Sequence, residues 1–538
     1  MTRFRSSHTS LAVRAPISKP VWLFNVQIWT LFRFLFRSLA RARVVVLAGI
    51  IFLSACHAAP PIPKDVLVVG LESAPTTLDP RLAADAYSAK ISKLLHNGLF
   101  RVNEHLEVVP DLAESFKFVD ERHLIIRIKS GIHFHHGKEL TAEDVKYTYE
   151  SILDPTLASP FRGTFSKIES IHVTSELTLE IILKEPNAPF LSALTMGLIS
   201  SDGKNPQIGT GPFELDQWVN GEFIRLKRFE SYSQKPRMRV VEFRFYPDDN
   251  LRILALKNHR LDILQNNVPP LLVAALQRDP QLGVQSTDGI NVTYLGFNLR
   301  KGPLSKTEVR EAIAHAIDRK ALISYRMVDM AHMADTLMSP LHWSFEPELT
   351  QYEFDPQKAR ALLDKAGYPD PDGRGPRPRF KLTYKTSTKK DRIALARLMA
   401  KYLGDIGIEV EVLPYEWATF FHDISQGNFE LFSLTWVGLT EPDIYYSLFH
   451  SSQLPPEGLN RAGYNNVVID RLVEEGRKQV DMGKRKEAYG YVQKLLAQEL
   501  PLLPLWYEDN VAVYQREVKG LRLRPDASFE WVTEVWKE

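Results

Sequence analysis

Residues of the types that do covalent chemistry are few in this chain, and their spacing matches no catalytic motif. Cys56 is the only cysteine among 538 residues, so an intramolecular disulfide and a cysteine-rich zinc site are both excluded. The sequence holds no Gly-x-Ser-x-Gly elbow, no His-Glu-x-x-His helix and no Walker-type loop. The chain is therefore predicted not to be an enzyme and to need no cofactor.

Two other polar clusters have simple structural interpretations. His133, His135 and His136 lie close together, and on a strand the first and third positions of 133–135 would share a face. Two ligands on one face could contribute to a metal site, but a polar strand end is the preferred interpretation and no metal is predicted. The Gly-Thr-Gly-Pro segment 209–212 resembles a phosphate loop without its Lys-Ser/Thr ending, so we expect a tight turn.

The first 55 residues have the pattern of an export signal with a long basic region. Arg41 and Arg43 precede an apolar run over residues 44–53, and small residues lead into Cys56. The run is short for a bilayer span, which takes about 20 residues. Leu-Ser-Ala-Cys at 53–56 resembles the bacterial lipobox, which implies cleavage before Cys56, its lipidation, and a Pro-rich tether over 56–64. The alternative is an incidental cysteine after a membrane anchor.

The charge of the chain divides at this leader. Residues 1–55 hold eight basic and no acidic side chains, whereas the remainder holds 59 basic and 65 acidic ones. The net charge of +2 is therefore +8 in the leader and −6 in the body. A nucleic-acid partner usually needs a basic surface on the folded part, so none is predicted.

Short helical and strand patterns alternate through the body and predict an α/β fold. Leu124, Ile126 and Ile128 alternate with polar residues and predict a strand with one apolar face, and Thr141 is placed to cap a helix. A buried strand is predicted over 66–69 and is ended by Gly70. A helix capped by Ser305 is predicted to bury Val309, Ile313 and Ile317. A further helix is predicted to begin at Asp355 and Pro356 and to end at Gly367, and its buried residues are Ala359, Leu362, Leu363 and Ala366.

A series of motifs along the body resembles the family 5 solute-binding proteins of bacterial ABC importers, which include oligopeptide, dipeptide and nickel-type members. Each motif is weak alone, but their common order over more than 400 residues is specific. The matching segments are 73–80, 112–116, 128–138, 140–145, 209–213, 295–298, 309–319, 354–359, 366–369, 406–410 and 500–506.

The resemblance implies a periplasmic-binding-protein type II-like fold of two main lobes with a hinge and an extra inserted domain. The implied segments are lobe I over 65–100, 191–292 and 505–538, lobe II over 101–190, and lobe III over 293–504. The solute would lie between lobes I and III and be enclosed by hinge closure.

The resemblance also implies partners and a location. A lipid-anchored monomer outside the cytoplasm would capture a peptide and deliver it to the permease and ATPase subunits of an ABC transporter. One alternative keeps the fold but changes the solute to a metal chelate, haem or a sugar. A third hypothesis is a surface lipoprotein hydrolase, which only the exported location supports.

The ligand residues are carried over from matching positions. Peptide-binding members have an Asp, shortly after a Gly-Trp motif, that pairs with the peptide ammonium; here Trp436 matches the motif and Leu439 falls at the Asp position. Glu441 or Asp443 could take over that role, or could merely cap the following helix. The other candidates could equally be packing residues, and they are Ser73, Ala74 and Pro75 in a loop and Trp506 and Tyr507 at the return into lobe I.

Overall fold

The computed structural model describes residues 62–203, 205–373, 375–456 and 458–538. The predicted signal peptide and the candidate lipidation residue Cys56 lie outside the described residues. Residues 62–538 form one compact unit. Within the described residues, no helix has both the length and the apolar character needed to cross a membrane.

The elements alternate between strands and helices, which confirms the predicted α/β class. The strands are β1 (Val66–Leu71), β2 (Phe100–Val102), β3 (Val108–Pro110), β4 (Ala113–Phe118), β5 (His123–Ile128), β6 (Ile168–Ser175), β7 (Thr178–Leu183), β8 (Phe213–Val219), β9 (Phe223–Arg228), β10 (Val240–Phe245), β11 (Ile263–Gln265), β12 (Leu282–Phe297), β13 (Ala331–Met333), β14 (Phe380–Ser387), β15 (Ile408–Tyr415), β16 (Leu431–Trp436), β17 (Leu502–Gln515), β18 (Val518–Lys519) and β19 (Trp536–Lys537).

The α-helices pack against these strands. They are α1 (Ala86–Leu95), α2 (Ala142–Leu153), α3 (Arg162–Phe165), α4 (Phe190–Ala193), α5 (Asp249–Lys257), α6 (Pro270–Leu276), α7 (Thr307–Ala316), α8 (Arg319–Arg326), α9 (Pro356–Lys365), α10 (Lys390–Gly404), α11 (Trp417–Ser425), α12 (Ile444–Phe449), α13 (Val467–Lys478) and α14 (Met482–Glu499). Short 3₁₀ turns cover Pro155–Leu157, Gly302–Ser305 and Glu530–Thr533.

One mixed sheet of eleven strands runs through most of the molecule. Its order is β15-β14-β16-β12-β17-β11-β1-β10-β9-β8, and β13 pairs in addition with β17. The two long strands, β12 and β17, are antiparallel neighbours at the centre of this order. Each crosses a predicted boundary of lobe III, at 292/293 and at 504/505, so the two strands connect the halves of the sheet.

The centre of the sheet places two pairs of side chains on opposite faces. Val292 of β12 lies opposite Trp436 on one side and Tyr507 on the other, and Thr293 lies opposite Thr435 and Trp506. Directly opposed residues on neighbouring strands point to the same face of a sheet. Trp436 and Tyr507 therefore share one face, and Trp506 lies on the other.

A second sheet, β4-β5-β7-β6, lies wholly within the segment predicted as lobe II. The predicted alternation is confirmed, because Leu124, Ile126 and Ile128 of β5 are each at most 1% exposed. Helix α2 covers this sheet, and Thr141 is its N-cap, where Asp144 completes a capping box. The lobe boundaries themselves stay a prediction.

Two local predictions are wrong in detail. Ser305 does not cap a helix, because it ends a 3₁₀ turn, its hydroxyl donates to the Gly302 carbonyl, and Lys306 holds the N-cap position of α7. Gly70 does not end the first strand, which continues to Leu71. The Asp355 cap, Pro356 and the left-handed Gly367 are confirmed.

The loop at 209–212 is a close packing contact rather than an anion site. A Cβ on Gly209 would lie 2.0 Å from the carbonyl oxygen of Leu95, at the end of α1. A Cβ on Gly211 would lie 2.5 Å from the Leu95 carbonyl carbon. Both glycines are therefore required by the approach of the loop to the helix.

Candidate functional site

The loop that follows β1 presents residues 73–75 next to the start of α1. Ser73 is exposed, Ala74 half-buried and Pro75 buried. The loop is held by Thr76, whose hydroxyl donates to Asp85 Oδ2 at 2.6 Å and whose N–H donates to the Ser88 hydroxyl at 2.9 Å. The predicted ligand loop is thus positioned by the cap of a helix, and its contact with a solute stays a prediction.

Trp436 ends β16 and forms an aromatic wall with neighbouring strands. Its ring stacks on Tyr294 of β12, with centroids 6.2 Å apart and an interplanar angle of 7°. The Arg461 guanidinium lies 5.6 Å from the Trp436 ring centroid and 5.3 Å from that of Phe421. Among the described residues, the buried indole Nε1–H has no hydrogen-bond partner. The wall therefore combines a π surface with a nearby cation.

Leu439 lies at the position where the sequence predicts that a ligand carboxylate is missing. It is 9% exposed and packs in an apolar cluster with Leu337, Tyr445 and Leu448. The preceding Gly438 donates its N–H to the Asn291 side-chain oxygen at 2.9 Å. The segment is thus fixed to the centre of the sheet with an apolar side chain at this point.

Glu441 and Asp443 are both paired with arginines. Arg485 Nη2 donates to Glu441 Oε1 at 2.5 Å, and Arg477 makes two bonds to the Asp443 carboxylate, at 2.9 and 2.8 Å. Asp443 does occupy the N-cap of α12, but its side chain makes no capping bond. We call these four side chains the arginine–carboxylate cluster.

In this cluster, burial and ion pairing shift the pKa values of the charged groups in opposite directions. Burial raises the pKa of Glu441, although the charge and hydrogen bond of Arg485 favour the ionised carboxylate. Burial would lower the pKa of Arg477, but its hydrogen bonds to Asp443 hold that pKa above its usual range. Arg477 also lies 3.6 Å above the Tyr446 ring. Both carboxylates therefore have a partner before any solute binds.

The cluster also contacts the segment around α4, which is distant in sequence. The Ser192 hydroxyl donates to Glu441 Oε2 at 3.0 Å, and the Ala188 N–H donates to the Arg477 carbonyl at 2.9 Å. Residues near 190 lie at the predicted boundary between lobes II and I, whereas the cluster belongs to predicted lobe III. These two hydrogen bonds therefore bridge parts of the chain that the predicted hinge would move apart.

Trp506 and Tyr507 are core residues of β17. Trp506 is 2% exposed and packs against apolar residues of α7 and α10. Tyr507 is 3% exposed, and its hydroxyl lies at hydrogen-bond distance from the carbonyls of Thr336 and Met338, at 2.8 and 2.7 Å. Trp506 lies on the opposite face of the sheet from Trp436, whereas Tyr507 shares the face of Trp436 and packs in the same apolar cluster. The role of both residues in binding stays a prediction.

The three clustered histidines have separate partners. His135 donates from Nε2 to the Gly211 carbonyl and accepts from the Gly209 N–H at Nδ1, at 3.1 and 3.3 Å. Burial lowers the pKa of His135 to about 4, which agrees with a neutral ring. His136 pairs with Asp202 at 3.1 Å, and His133 is exposed. His135 and His136 thus join the hairpin at 133–139 to neighbouring loops.

A cavity of about 500 Å³ lies between α1 and the segment 161–197. Its lining is largely apolar, and its polar groups include Lys93, His96 and Ser192. Such a volume is within the range of small-molecule sites. The Ser192 hydroxyl that lines this cavity is the one that contacts the arginine–carboxylate cluster.

Sequence reasoning missed the two arginines of the cluster. Arg477 and Arg485 lie on α13 and α14, more than 30 residues after the carboxylates they bind. Helical spacing places each on a helix but gives no signal for a partner so distant in the chain. Ser192 was missed for the same reason.

Comparisons with known proteins decide the family. Residues 107–454 match the model of the bacterial extracellular solute-binding proteins, family 5. The chain belongs to this family. Oligopeptide-binding protein AppA of Bacillus subtilis is 26% identical over 498 residues, covering 87% of this chain and 91% of AppA. Glutathione-binding protein GsiB of Escherichia coli is 26% identical over 487 residues, covering 86% of this chain and 93% of GsiB.

Solved structures agree with the family assignment. The structure of AppA in complex with a nonapeptide superposes with a TM-score of 0.74 at 26% identity, covering 89% of this chain and 100% of that one. The predicted family and fold class are thereby confirmed. Family 5 members are solute-binding proteins that act outside the cytoplasm, so the protein is an exported binding protein and not an enzyme.

Proposed function

We propose that the protein is the solute-binding component of an ABC importer and that its solute is a peptide. The observation that carries the proposal is the likeness to AppA along nearly the whole body, together with the nonapeptide held by that relative. The proposed site lies between the loop 73–75 and the aromatic wall at Trp436. No covalent chemistry is needed, which agrees with the lack of catalytic motifs.

Binding would act through closure of the lobes about β12 and β17. The hydrogen bonds from Ser192 to Glu441 and from Ala188 to Arg477 join segments on the two sides of this movement. A solute that contacts both sides favours the closed form, because it binds that form better. The arginine–carboxylate cluster would then stabilise the closed form rather than bind the solute.

The apolar Leu439 bears on the solute's charge. A buried ammonium without a partner costs several kcal/mol, and Glu441 and Asp443 are already paired. We therefore expect a peptide whose amino terminus is not recognised at position 439. The second candidate is a solute without a free ammonium there, such as a metal chelate, haem or a sugar.

Native mass spectrometry of protein purified without refolding tests the solute class directly. We expect a co-purified set of peptide masses, released on unfolding. A melting-temperature panel of di- to hexapeptides should show a rise for the bound lengths, because a ligand of the native state stabilises it. A single non-peptide mass together with no shift across the panel would contradict the peptide proposal.

A pair of peptides that differ only by N-acetylation tests the role of Leu439. We expect the natural chain to bind both within about threefold, and Leu439→Asp to prefer the free amine by roughly tenfold. Leu439→Asn is the matched control, since it adds a polar group without charge. A strong preference of the natural chain for the free amine would show that another carboxylate binds the ammonium.

We propose further that the mature protein begins at Cys56, which carries a lipid anchor, and that it works as a monomer that delivers solute to a permease. The single cysteine at the end of the leader supports this assignment. Mass spectrometry of the membrane-extracted N-terminal peptide should show acyl groups on Cys56. The Cys56→Ser variant should lose them and appear in the soluble fraction; an unchanged membrane fraction would refute anchoring through this residue.

A further inference from the structure

Three side chains from three strands converge beside the centre of the large sheet. Asp288 lies on β12, His332 on β13 and Asp509 on β17. His332 Nε2 lies 3.1 Å from Asp288 Oδ1 and 3.3 Å from Asp509 Oδ1. One ligand atom from each residue lies within 4.8 Å of the others. Neither the loop 73–75 nor the wall at Trp436 includes these residues.

The backbone brings them together through an irregularity in strand pairing. The register between β12 and β17 shifts between Thr287 and Asn291, which releases Asp288 from regular pairing. A Cβ on the next residue, Gly289, would lie 2.1 Å from the Glu508 carbonyl oxygen, so only glycine permits this approach. His332 arrives from β13, which pairs with the other edge of β17.

Asp509 is the least exposed member of the set, and its pairing is incomplete. Its side chain is 10% exposed, and among the described residues its Oδ1 accepts no hydrogen bond of good geometry, although His332 Nε2 lies 3.3 Å away. Its other oxygen, Oδ2, accepts from the Ser286 hydroxyl at 3.3 Å, which orients the carboxylate. A single proton on His332 Nε2 cannot serve both neighbouring carboxylates well. A cation bound by all three atoms would satisfy them together.

We propose that Asp288, His332 and Asp509 form a binding site for a divalent transition-metal ion of the Zn²⁺ class. One imidazole nitrogen with two carboxylates suits such ions. Metal–ligand bonds of about 2.0–2.2 Å in tetrahedral geometry separate ligand atoms by about 3.3–3.6 Å. The two separations from His332 Nε2 in the structure, 3.1 and 3.3 Å, are within a few tenths of an ångström of that range.

The geometry of the three side chains suits a cation. The Asp288 and Asp509 carboxylates both lie next to His332 Nε2, and a bound cation would offset the repulsion between their two negative charges. Asp288 and His332 are 61% and 55% exposed, so the site is reached from solvent and leaves open coordination positions. A bound ion would cross-link β12, β13 and β17 where the two halves of the sheet meet.

Calorimetry on chelator-stripped, untagged protein tests the site without any solute. We expect one Zn²⁺ per chain, and at least about tenfold weaker binding in both His332→Gln and Asp288→Asn. His133→Gln is the matched control, because it removes an exposed histidine elsewhere and should leave zinc affinity unchanged. Zinc should raise the melting temperature of the natural chain and of the control, and raise it less in the two site variants.

The proposal is overturned by the absence of zinc binding in the natural chain, or by affinity that the two site variants leave unchanged. Far-ultraviolet circular dichroism verifies that each variant is folded; since both residues are exposed, at least one variant will be usable. Cobalt(II) provides a second readout, because its visible absorption should indicate low coordination in the natural chain and disappear in His332→Gln. The result is independent of the peptide experiments, so either proposal can fail alone.

Discussion

Trp436 and Trp506 flank the same strand, yet they belong to different environments. Trp436 pairs with Val292 and Trp506 with its neighbour Thr293, so the two indoles lie on opposite faces of the sheet. Trp506 is enclosed by helices and is 2% exposed. Trp436 is only partly buried and stands at the end of β16 with Tyr294 and Arg461. A shift of one residue along β12 separates a fully buried tryptophan from a partly buried one.

The indole N–H groups of the two tryptophans also differ in their surroundings. Neither Trp436 nor Trp506 has a hydrogen-bond partner for its buried Nε1 among the described residues. At Trp506 the surrounding side chains are apolar, so the unpaired donor is a cost that packing must offset. At Trp436 the Arg461 guanidinium lies 5.6 Å from the ring centroid, so this donor lies beside a cation and not in a wholly apolar core.

The largest effect is expected from Trp506→Ala. Removing a fully buried indole should lower the free energy of unfolding by about 3–5 kcal/mol, since it leaves a cavity in the core. Urea denaturation followed by circular dichroism measures the change. Affinity of the folded fraction for solute should be nearly unchanged. A loss of affinity with little loss of stability would abolish the distinction between the two tryptophans.

The next effect concerns the charges that follow Trp436. Arg485→Met should lower the free energy of unfolding by about 3 kcal/mol, because it leaves the Glu441 carboxylate buried with only the Ser192 hydroxyl and the Asp443 N–H as hydrogen-bond donors. Lys484→Met on the same helix is the control, since Lys484 is exposed. Equal stability of the two variants would mean that Glu441 is not held by Arg485 and is free to bind a ligand.

A smaller effect, on binding instead of stability, is expected from Trp436→Ala. Loss of the π surface should weaken binding of the solute by about tenfold, or about 1.4 kcal/mol. Calorimetry with the solute found by native mass spectrometry measures this change in affinity. The free energy of unfolding should fall by less than in Trp506→Ala. Unchanged affinity would remove Trp436 from the proposed site.

The local fold could be predicted where the signal is short-range. The cap at Thr141, the start at Asp355-Pro356 and the alternation in β5 depend on neighbours within a few residues. Ser305 has the right residue type for a cap, but a 3₁₀ turn ends there and moves the helix start to Thr307. Local type and spacing do not distinguish these two outcomes.

The candidate site was harder to predict because its partners are remote. Leu439 was identified from the sequence, and the structure shows it buried. The pairing of Glu441 and Asp443 depends on Arg485 and Arg477, which only the packing of α13 and α14 brings near. The different environments of Trp436 and Trp506 likewise follow from strand register, which a single sequence does not reveal.

The smallest expected effect is a pH dependence of the unfolding free energy, which originates at Glu441, shortly after Trp436 in the chain. Burial raises the pKa of Glu441 above its ordinary value of 4.5. The charge of Arg485 opposes this shift, and the charge of Asp443 adds to it. The folded chain therefore binds this proton more tightly than the unfolded chain. The resulting stabilisation is complete below about pH 4.5 and is lost as pH rises through the raised pKa.

Glu441→Gln should remove this dependence, because its amide does not titrate. Unfolding free energies of the natural chain minus those of Glu441→Gln should thus fall as pH rises from 4.5 through the raised pKa. For Trp506→Ala the lost contacts are apolar, so its difference from the natural chain should be constant over the same range. If the two differences in unfolding free energy ran parallel with pH, Glu441 would have an ordinary pKa. The arginine–carboxylate cluster would then be exposed to solvent rather than buried.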